Sequence, residues 1–263
     1  MKLSFTKLGK GNPIIIIHGL YGSKDNWHSI GKILSSSYSV YLIDQRNHGD
    51  SPHSENHDFN LMSDDVFQFI NDHKLHKVTI IGHSMGGRTA LFFSKKYSKR
   101  LNKLIIIDVS PFSSLNSAKT NEYIKLHAHI INSLLSLNVS YIKTRNEAEQ
   151  YLKKYIESKN TRQFLLKNLI RKKDNTFNWK LNLIALKNNL REIFEGFNPC
   201  EEININIPTL FIKGEKSKYI EQDDIDLIKK SFSNYKIKEI KSAGHWVHAE
   251  QPKKLTQAIL DFL

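Results

Sequence analysis

The sequence predicts an α/β fold with a mostly parallel, doubly wound sheet and a helical lid inserted before the penultimate strand. Short aliphatic runs recur along the 263 residues, and stretches of helical periodicity lie between them. Runs that are apolar on both faces suit strands buried on both sides of a parallel sheet. Strand alternating with helix is typical of doubly wound folds. One such fold can occupy about 250 residues, so the length does not require a second domain.

Seven strands are expected. The stretch 3–8 alternates apolar and polar residues, which favours an antiparallel edge strand with one solvated face. The other six strands are expected at 14–17, 40–43, 78–81, 104–107, 210–212 and 237–240. Helices are expected between them at about 24–35, 61–73, 86–97, 223–232 and 252–263.

Residues 112–200 interrupt this alternation. No strand is expected there, and helical patterns occur at 123–137, 147–158 and 162–171. The segment is therefore predicted to be a helical lid over the edge of the sheet where the parallel strands end. Residues 1–111 and 201–263 are predicted to form the core, and the lid is expected to be an excursion of the same domain.

The charge balance does not by itself identify a partner. The formal net charge is +13, which can indicate nucleic acid or an anionic surface. However, 86 of the 263 residues are Lys, Ile or Asn, all of which have A- and T-rich codons, and the lysines are dispersed. Base composition therefore explains the charge, and nucleic acid is not predicted as a partner. An anionic partner is left as the alternative.

Cysteine and hydropathy patterns limit the class of protein. Cys200 is the only cysteine, so an internal disulfide and a cysteine-based metal cluster are excluded. The first residues lack the apolar stretch of a signal peptide, and no aliphatic run approaches the ~18 residues of a membrane span. A soluble cytoplasmic protein without metal or organic cofactor is expected. The oligomeric state is not predicted.

The most informative motif is Gly-His-Ser-Met-Gly at 82–86, directly after the expected strand at 78–81. A serine at a sharp turn between strand and helix needs strained backbone angles and very small residues two positions away on either side. Gly82 and Gly86 meet that requirement. The helix that begins after Ser84 would present its positive dipole end to a developing oxyanion. The motif predicts that Ser84 is a nucleophile. The alternative is a structural glycine-rich turn.

A glycine-rich loop at 18–22 follows the expected strand at 14–17. In this architecture such a loop supplies one oxyanion donor, and the residue after the nucleophile supplies the other. The backbone N–H groups of Leu20 and Met85 are therefore predicted to form the oxyanion hole. His18 is expected to brace the loop.

The predicted general base is His245. It follows Gly244 directly after the last expected strand, and the chain order serine, acid, histidine places the base there. His248 in the same loop is the alternative. The chain contains twelve histidines, and most of the others are expected on the surface.

These motifs, in this order, resemble the α/β-hydrolase superfamily, and more closely the small bacterial esterases of the YbfF type, which are related to the animal abhydrolase-11 proteins. The resemblance runs from end to end of the chain. The matching stretches are 18–23, 44–51, 82–87, 107–111, 164–167, 177–179 and 244–250. The elbow is shared by the whole superfamily, whereas 44–51 and 245–250 are more specific to this branch.

The sequence offers two candidates for the acid that completes a triad with Ser84 and His245. Members of the superfamily commonly place it after the strand before the base, but the loop 213–219 contains no Asp. The resemblance implies Asp108, at the end of the strand after the nucleophile, as the partner that orients His245. Glu215 is the alternative acid, and a helix cap is the alternative role for Asp108.

The resemblance implies a serine hydrolase that cleaves small acyl esters, either carboxyl esters of short acyl chains or acyl-CoA thioesters. A serine at position 84 argues against dehalogenases and epoxide hydrolases, which the resemblance ties to an aspartate nucleophile. Two alternatives remain: a lyase of the menaquinone-pathway type with the same triad, and a ligand-binding protein with a slow triad.

The candidate residues of the substrate pocket are aromatic side chains near these motifs and in the lid. They are Tyr21, His83, Trp179 and Trp246.

Overall fold

The computed structural model describes residues 1–113 and 117–263. Two antiparallel strands in the lid accompany the strands of the main sheet. The nine strands in chain order are β1 (Phe5–Leu8), β2 (Asn12–Ile17), β3 (Tyr38–Ile43), β4 (Val78–His83), β5 (Leu101–Ile107), β6 (Leu169–Arg171), β7 (Phe177–Trp179), β8 (Thr209–Gly214) and β9 (Tyr235–Ile240).

Eleven α-helices lie within the described part of the chain. They are α1 (His28–Leu34), α2 (Phe59–Asp72), α3 (Met85–Tyr97), α4 (Ala118–Ser136), α5 (Arg145–Leu152), α6 (Lys159–Leu166), α7 (Leu183–Asn188), α8 (Leu190–Ile193), α9 (Gln222–Ser231), α10 (Val247–Glu250) and α11 (Pro252–Leu260). Short 3-10 turns at Lys24–Trp27 and Ser98–Arg100 precede α1 and β5. None of these helices is both long and apolar enough to cross a membrane.

The main sheet has seven strands in the order β1-β3-β2-β4-β5-β8-β9. Strand β1 pairs antiparallel with β3, and all other pairs are parallel. The expected edge strand and the mostly parallel sheet are both confirmed. Because β2 lies between β3 and β4, the chain winds in both directions from the centre, as a doubly wound fold requires.

Helices cover both faces of this sheet. Alternate residues of β2 illustrate the division, because Ile15 and Ile17 join the apolar cluster under α2 and α3, whereas Ile14 and Ile16 join the cluster under α1 and α11. All four side chains are essentially inaccessible to solvent. The isoleucine run is therefore continuous because both faces of the strand need apolar side chains.

The segment between β5 and β8 contains α4 to α8 and the β6–β7 hairpin; residues 114–116 within it lie outside the described residues. The expectation that this segment has no strands is wrong, because Leu169–Arg171 pairs with Phe177–Trp179 around a turn with Asn175 at φ 68°. Three-residue strands are too short to show a period in the sequence. The helices expected at 147–158 and 162–171 end earlier, at Leu152 and Leu166.

Side-chain caps fix where the lid helices begin. Each of four lid helices follows a residue whose side-chain oxygen accepts a hydrogen bond from an N–H of the first turn. These residues are Ser117, Thr144, Ser158 and Asn182. The apolar faces of the helices form one cluster, which also contains Tyr21, Phe59, Met62 and Met85 from the sheet-bearing part. The lid therefore packs directly on the glycine-rich loop and on the elbow.

Candidate active site

The ends of neighbouring parallel strands bring the two central residues together. Ser84 follows β4 and Asp108 follows β5, which pairs with β4 in parallel. The Ser84 N–H donates to the Ile107 carbonyl at 2.9 Å, and the Asp108 N–H donates to the Ile212 carbonyl at 2.7 Å. Ser84 and Asp108 each lie just after the end of a strand, and in each case the backbone N–H still bonds to the neighbouring strand of the sheet. These hydrogen bonds fix the positions of both residues.

Ser84 has strained backbone geometry, with φ 53° and ψ −119°. The glycines beside it are required by close backbone approach. A Cβ atom at Gly82 would lie 2.3 Å from the Gly86 carbonyl oxygen, and one at Gly86 would lie 2.4 Å from the Ile17 carbonyl oxygen. The motif is therefore a strained strand-to-helix turn that exposes the serine hydroxyl at the top of the sheet.

A continuous hydrogen-bonded chain joins serine, histidine and aspartate. The Nε2 of His245 lies 3.0 Å from Ser84 Oγ, and its Nδ1 lies 2.7 Å from Asp108 Oδ2. A carboxylate can only accept, so the proton on Nδ1 donates to Asp108, and Nε2 is left to accept from the serine hydroxyl. His248, the alternative base, instead stacks on Trp27 with ring centroids 4.8 Å apart.

The Asp108 carboxylate is fully buried and surrounded by donors. Oδ1 accepts from the Gly214 N–H at 2.9 Å, and Oδ2 also accepts from the Ser217 hydroxyl. Asp108 itself has φ 52°, a strained angle at the second residue of the triad. In the described part of the lid, the helix caps are supplied by Ser117, Thr144, Ser158 and Asn182, and Asp108 caps none of these helices. The alternative acid, Glu215, is exposed and forms an ion pair with Lys241 at 3.0 Å.

The glycine-rich loop lies against the nucleophile. A Cβ atom at Gly19 would lie 3.1 Å from Ser84 Cβ. The Tyr21 N–H donates to His48 Nε2 at 3.2 Å, and the Gly22 N–H donates to the Gly19 carbonyl at 2.9 Å. Among the described residues, neither the Leu20 N–H nor the Met85 N–H has an acceptor. Two unused donors next to a serine hydroxyl are what an oxyanion hole requires.

Two buried histidines hold this loop from below. His18 donates from Nδ1 to the Gly19 carbonyl at 2.8 Å, while its Nε2 accepts from the Gln45 N–H at 3.0 Å. His48 donates from Nδ1 to the Arg46 carbonyl at 3.0 Å and accepts from Tyr21 through Nε2. Burial lowers the pKa of both imidazoles below the ordinary histidine value. Both rings therefore remain neutral, which these hydrogen bonds need.

Two aromatic side chains position the base. His83 donates from Nε2 to the backbone carbonyl of His245 at 2.8 Å, and burial lowers its pKa well below the ordinary value. The Tyr219 ring stacks on the His245 imidazole, with centroids 3.8 Å apart and planes 15° apart. Ser217 and Tyr219 both come from the loop after β8, which contains Glu215 but no Asp. That loop supports the triad and does not supply its carboxylate.

A cavity of about 880 Å³ opens onto Ser84 and His245. Tyr21, His83 and Trp246 line it, as expected of pocket residues. Trp179 is not among the lining residues, so its expected pocket position is wrong. It pairs with Leu169 in the lid hairpin and packs on the apolar cluster of the lid.

The fold and this geometry define a class of protein. A family model of the alpha/beta hydrolase fold matches residues 12–252, and the chain belongs to that family. Esterase YbfF of Escherichia coli is 30% identical over 252 residues, which cover 96% of this chain and 93% of that protein. The resemblance to YbfF-type esterases is thus confirmed. A putative esterase/lipase of Haemophilus influenzae is 37% identical over 95% of this chain and 82% of its own length. The solved structure of a marine microorganism esterase is 44% identical, with a TM-score of 0.94 over 100% of both chains.

Proposed function

We propose that this chain, an ester hydrolase, cleaves carboxyl esters through an acyl-enzyme on Ser84, with His245 as general base and Asp108 as its orienting acid. The relatives named as esterases support ester hydrolysis. The observation that carries the proposal is the hydrogen-bonded chain from Ser84 Oγ through both nitrogens of His245 to Asp108, at 3.0 and 2.7 Å.

The chemistry has two steps. In the first, His245 Nε2 takes the proton of Ser84, and Oγ attacks the ester carbonyl. The resulting oxyanion accepts hydrogen bonds from the Leu20 and Met85 N–H groups. His245 then protonates the leaving alcohol, which departs. In the second step His245 activates a water molecule that attacks the acyl-enzyme and releases the acid. The residues need no metal or organic cofactor for either step.

The cavity supports a small-molecule substrate. About 880 Å³ is within the usual size of small-molecule sites, so both the acyl part and the alcohol part of a small ester fit inside. Apolar lid side chains such as Leu126, Ile130 and Phe164 line part of it. The proposed substrates are carboxyl esters of short acyl chains, and acyl-CoA thioesters are the alternative substrate class.

The test uses purified protein, p-nitrophenyl esters of graded chain length and a panel of acyl-CoAs. Turnover of esters is expected, together with covalent labelling of Ser84 by a fluorophosphonate probe. Ser84→Ala should abolish labelling and lower kcat by at least about a thousandfold. Labelling that survives in Ser84→Ala would contradict the assignment of the nucleophile. Absence of turnover on every ester and thioester would instead favour a lyase or a binding protein with the same triad.

A further inference from the structure

Arg88 is a buried cation that has no partner among residues 1–113 and 117–263. Its relative exposure is only 9%, and its Nε is inaccessible to solvent and lacks a hydrogen bond. Within the described residues, its guanidinium donates no hydrogen bond and lies in no ion pair. Burial lowers its pKa to about 10, which still leaves it charged at neutral pH. Burying an unpaired charge is costly, so such a group needs a reason to persist.

The other two buried arginines show how this protein normally satisfies such a group. Arg46 donates to Asp65 at 2.7 Å and to backbone carbonyls. Arg162 donates to Glu149 at 2.8 Å and to two further carbonyls. Both are at most 6% exposed, so their burial is comparable with that of Arg88. The missing partner is therefore specific to Arg88 and does not follow from burial alone.

The position of Arg88 points to the substrate. Arg88 lines the catalytic cavity, and its backbone N–H donates to the Ser84 carbonyl at 3.1 Å. It therefore lies one helical turn after the nucleophile, about 6 Å along the axis of α3. An arginine side chain at this distance can reach a group a few bonds away from the scissile carbonyl.

The other charged residues that line the cavity form no ion pair with Arg88 in the described part of the chain, so a ligand could be its partner. Lys119, the other cation of the wall apart from histidines, already pairs with Glu221 at 2.7 Å. The carboxylate of Asp224 accepts a hydrogen bond from the Glu221 N–H at 2.8 Å as part of a helix cap. Among the described residues, no carboxylate oxygen lies within 4.0 Å of a nitrogen of the Arg88 guanidinium. Glu157 and Asp223 are exposed, where water screens their charge.

From these observations we infer that Arg88 is a recognition site for a carboxylate on the substrate, so that the preferred esters carry a free carboxyl group a few bonds from the scissile bond. The inference rests on the proposed ester hydrolysis and names the substrate class for it. A guanidinium presents two parallel N–H donors that match a carboxylate, and a buried pair of this kind is strong because water is excluded. Arg88 is a specificity residue; the reacting atoms remain those of the triad.

The experiment compares matched ester pairs. One pair places the carboxylate in the acyl part, as p-nitrophenyl hemiglutarate against p-nitrophenyl valerate. A second places it in the alcohol part, as the butyrate ester of 3-hydroxypropanoate against propyl butyrate. Wild type is expected to prefer the carboxylate member of at least one pair, and the two pairs show which side of the ester carries it. Arg88→Met should lower that kcat/KM ratio by at least about thirtyfold. Arg88→Lys should retain part of it, because the charge stays but the planar fork is lost.

The controls separate recognition from folding. Lys95→Met removes one positive charge from the same helix at an exposed ion pair with Glu201 and should leave the ratio unchanged. Arg88→Met should also raise the midpoint of thermal unfolding, because it removes a buried charge that has no hydrogen bond or close ion pair among the described residues. A lower midpoint together with an unchanged ratio would overturn the inference and make Arg88 a structural residue.

A binding assay separates this inference from the proposed function. In Ser84→Ala, glutarate should raise the unfolding midpoint, and its diamide should not. Adding Arg88→Met should abolish the effect of glutarate. If glutarate binds through Arg88 but no ester is hydrolysed, the recognition site stands and the proposed function fails. If both members of each ester pair are hydrolysed with the same ratio in wild type and Arg88→Met, the recognition site fails and the proposed function stands.

Discussion

Replacing Asp108 by asparagine should cripple the triad while preserving its shape. The carboxylate has donors on both oxygens: the Gly214 N–H on Oδ1, and Ser217 and His245 on Oδ2. An asparagine that keeps its oxygen towards Gly214 places its NH₂ against His245 Nδ1. That arrangement stabilises the imidazole tautomer with its proton on Nε2, which cannot accept the proton of Ser84.

The magnitude follows from the alternative orientation of the amide. Turning the oxygen towards His245 would place the NH₂ against the buried Gly214 N–H and leave donors unsatisfied, at a cost of about 1–3 kcal/mol. This cost alone lowers the population of the active tautomer by about five- to 150-fold. Loss of the carboxylate charge that stabilises the imidazolium adds to it. The expected loss in kcat is therefore between about a hundredfold and ten-thousandfold.

The assay is steady-state hydrolysis of a p-nitrophenyl ester at a pH above the ordinary histidine titration, so that protonation of the base does not contribute. Urea unfolding should be recorded for the same variant. Its free energy of unfolding should fall by only about 1–3 kcal/mol, because one charge-assisted hydrogen bond is weakened. Glu215→Gln is the matched control, since that exposed carboxylate pairs with Lys241 and should matter little. A folded Asp108→Asn protein with less than a tenfold loss would refute this role, and a crippled Glu215→Gln protein would move the acid to the loop after β8.

The remaining predictions concern the elbow, the buried histidines and the lid. Gly86→Ala should abolish fluorophosphonate labelling and lower the free energy of unfolding by more than about 2 kcal/mol, because the added Cβ would lie 2.4 Å from the Ile17 carbonyl oxygen. A stable variant that is still labelled would contradict this. Burial lowers the pKa of His57 to about 3, so between that pH and about 6.5 only the unfolded chain binds its proton; this one group should contribute a loss of roughly 1.4 kcal/mol in the free energy of unfolding per pH unit as the pH drops. Other buried histidines add to the same dependence. His57→Gln should reduce that dependence by the share of His57 in urea unfolding at pH 7.5 and 5, and an unchanged slope would show that only other groups cause it. Phe164→Ala should shift the preference among p-nitrophenyl esters towards longer acyl chains, because Phe164 lines the cavity in contact with Trp246, with ring centroids 5.5 Å apart, and its removal enlarges the cavity there. Trp179→Ala should lower thermal stability without changing that preference, and a changed preference would place the indole in the substrate path.

The strands and the core helices could be predicted because their patterns have physical causes that act locally. The run of four isoleucines in β2 is apolar throughout because both faces are covered, and the glycines of the elbow are fixed by backbone contacts. The β6–β7 hairpin could not be predicted, since each strand has only three residues. The position of Trp179 could not be predicted either, because it depends on the packing of that hairpin.

The residues that support the triad could not be predicted from a single sequence. Nothing local marks Ser217 or Tyr219 as neighbours of the triad, since they approach it from a loop more than a hundred residues after Asp108 in the chain. The expectation that most histidines lie on the surface is wrong, because only His28, His53, His76 and His129 are exposed. His48 and His57 are buried beneath the glycine-rich loop or beside it. Their burial results from the hydrogen bonds that they complete, and residue type alone does not reveal those partners. Arg88 likewise follows Gly87 without any pattern that distinguishes it.

The asparagine that joins the lid to the glycine-rich loop matters for protein engineering. Asn168 donates from its side chain to the Tyr21 carbonyl at 2.8 Å, whereas the Ser84 and Asp108 backbones are held by β5 and β8. A chimaera that receives the lid of another esterase should therefore retain a reactive serine. Its turnover should depend on whether the transplanted segment brings a donor to the position of Asn168. Libraries of exchanged lids could keep Asn168 fixed, together with other lid residues that bond to the core such as Asn182, and vary the rest. New substrate preferences would then be sampled without loss of the catalytic machinery.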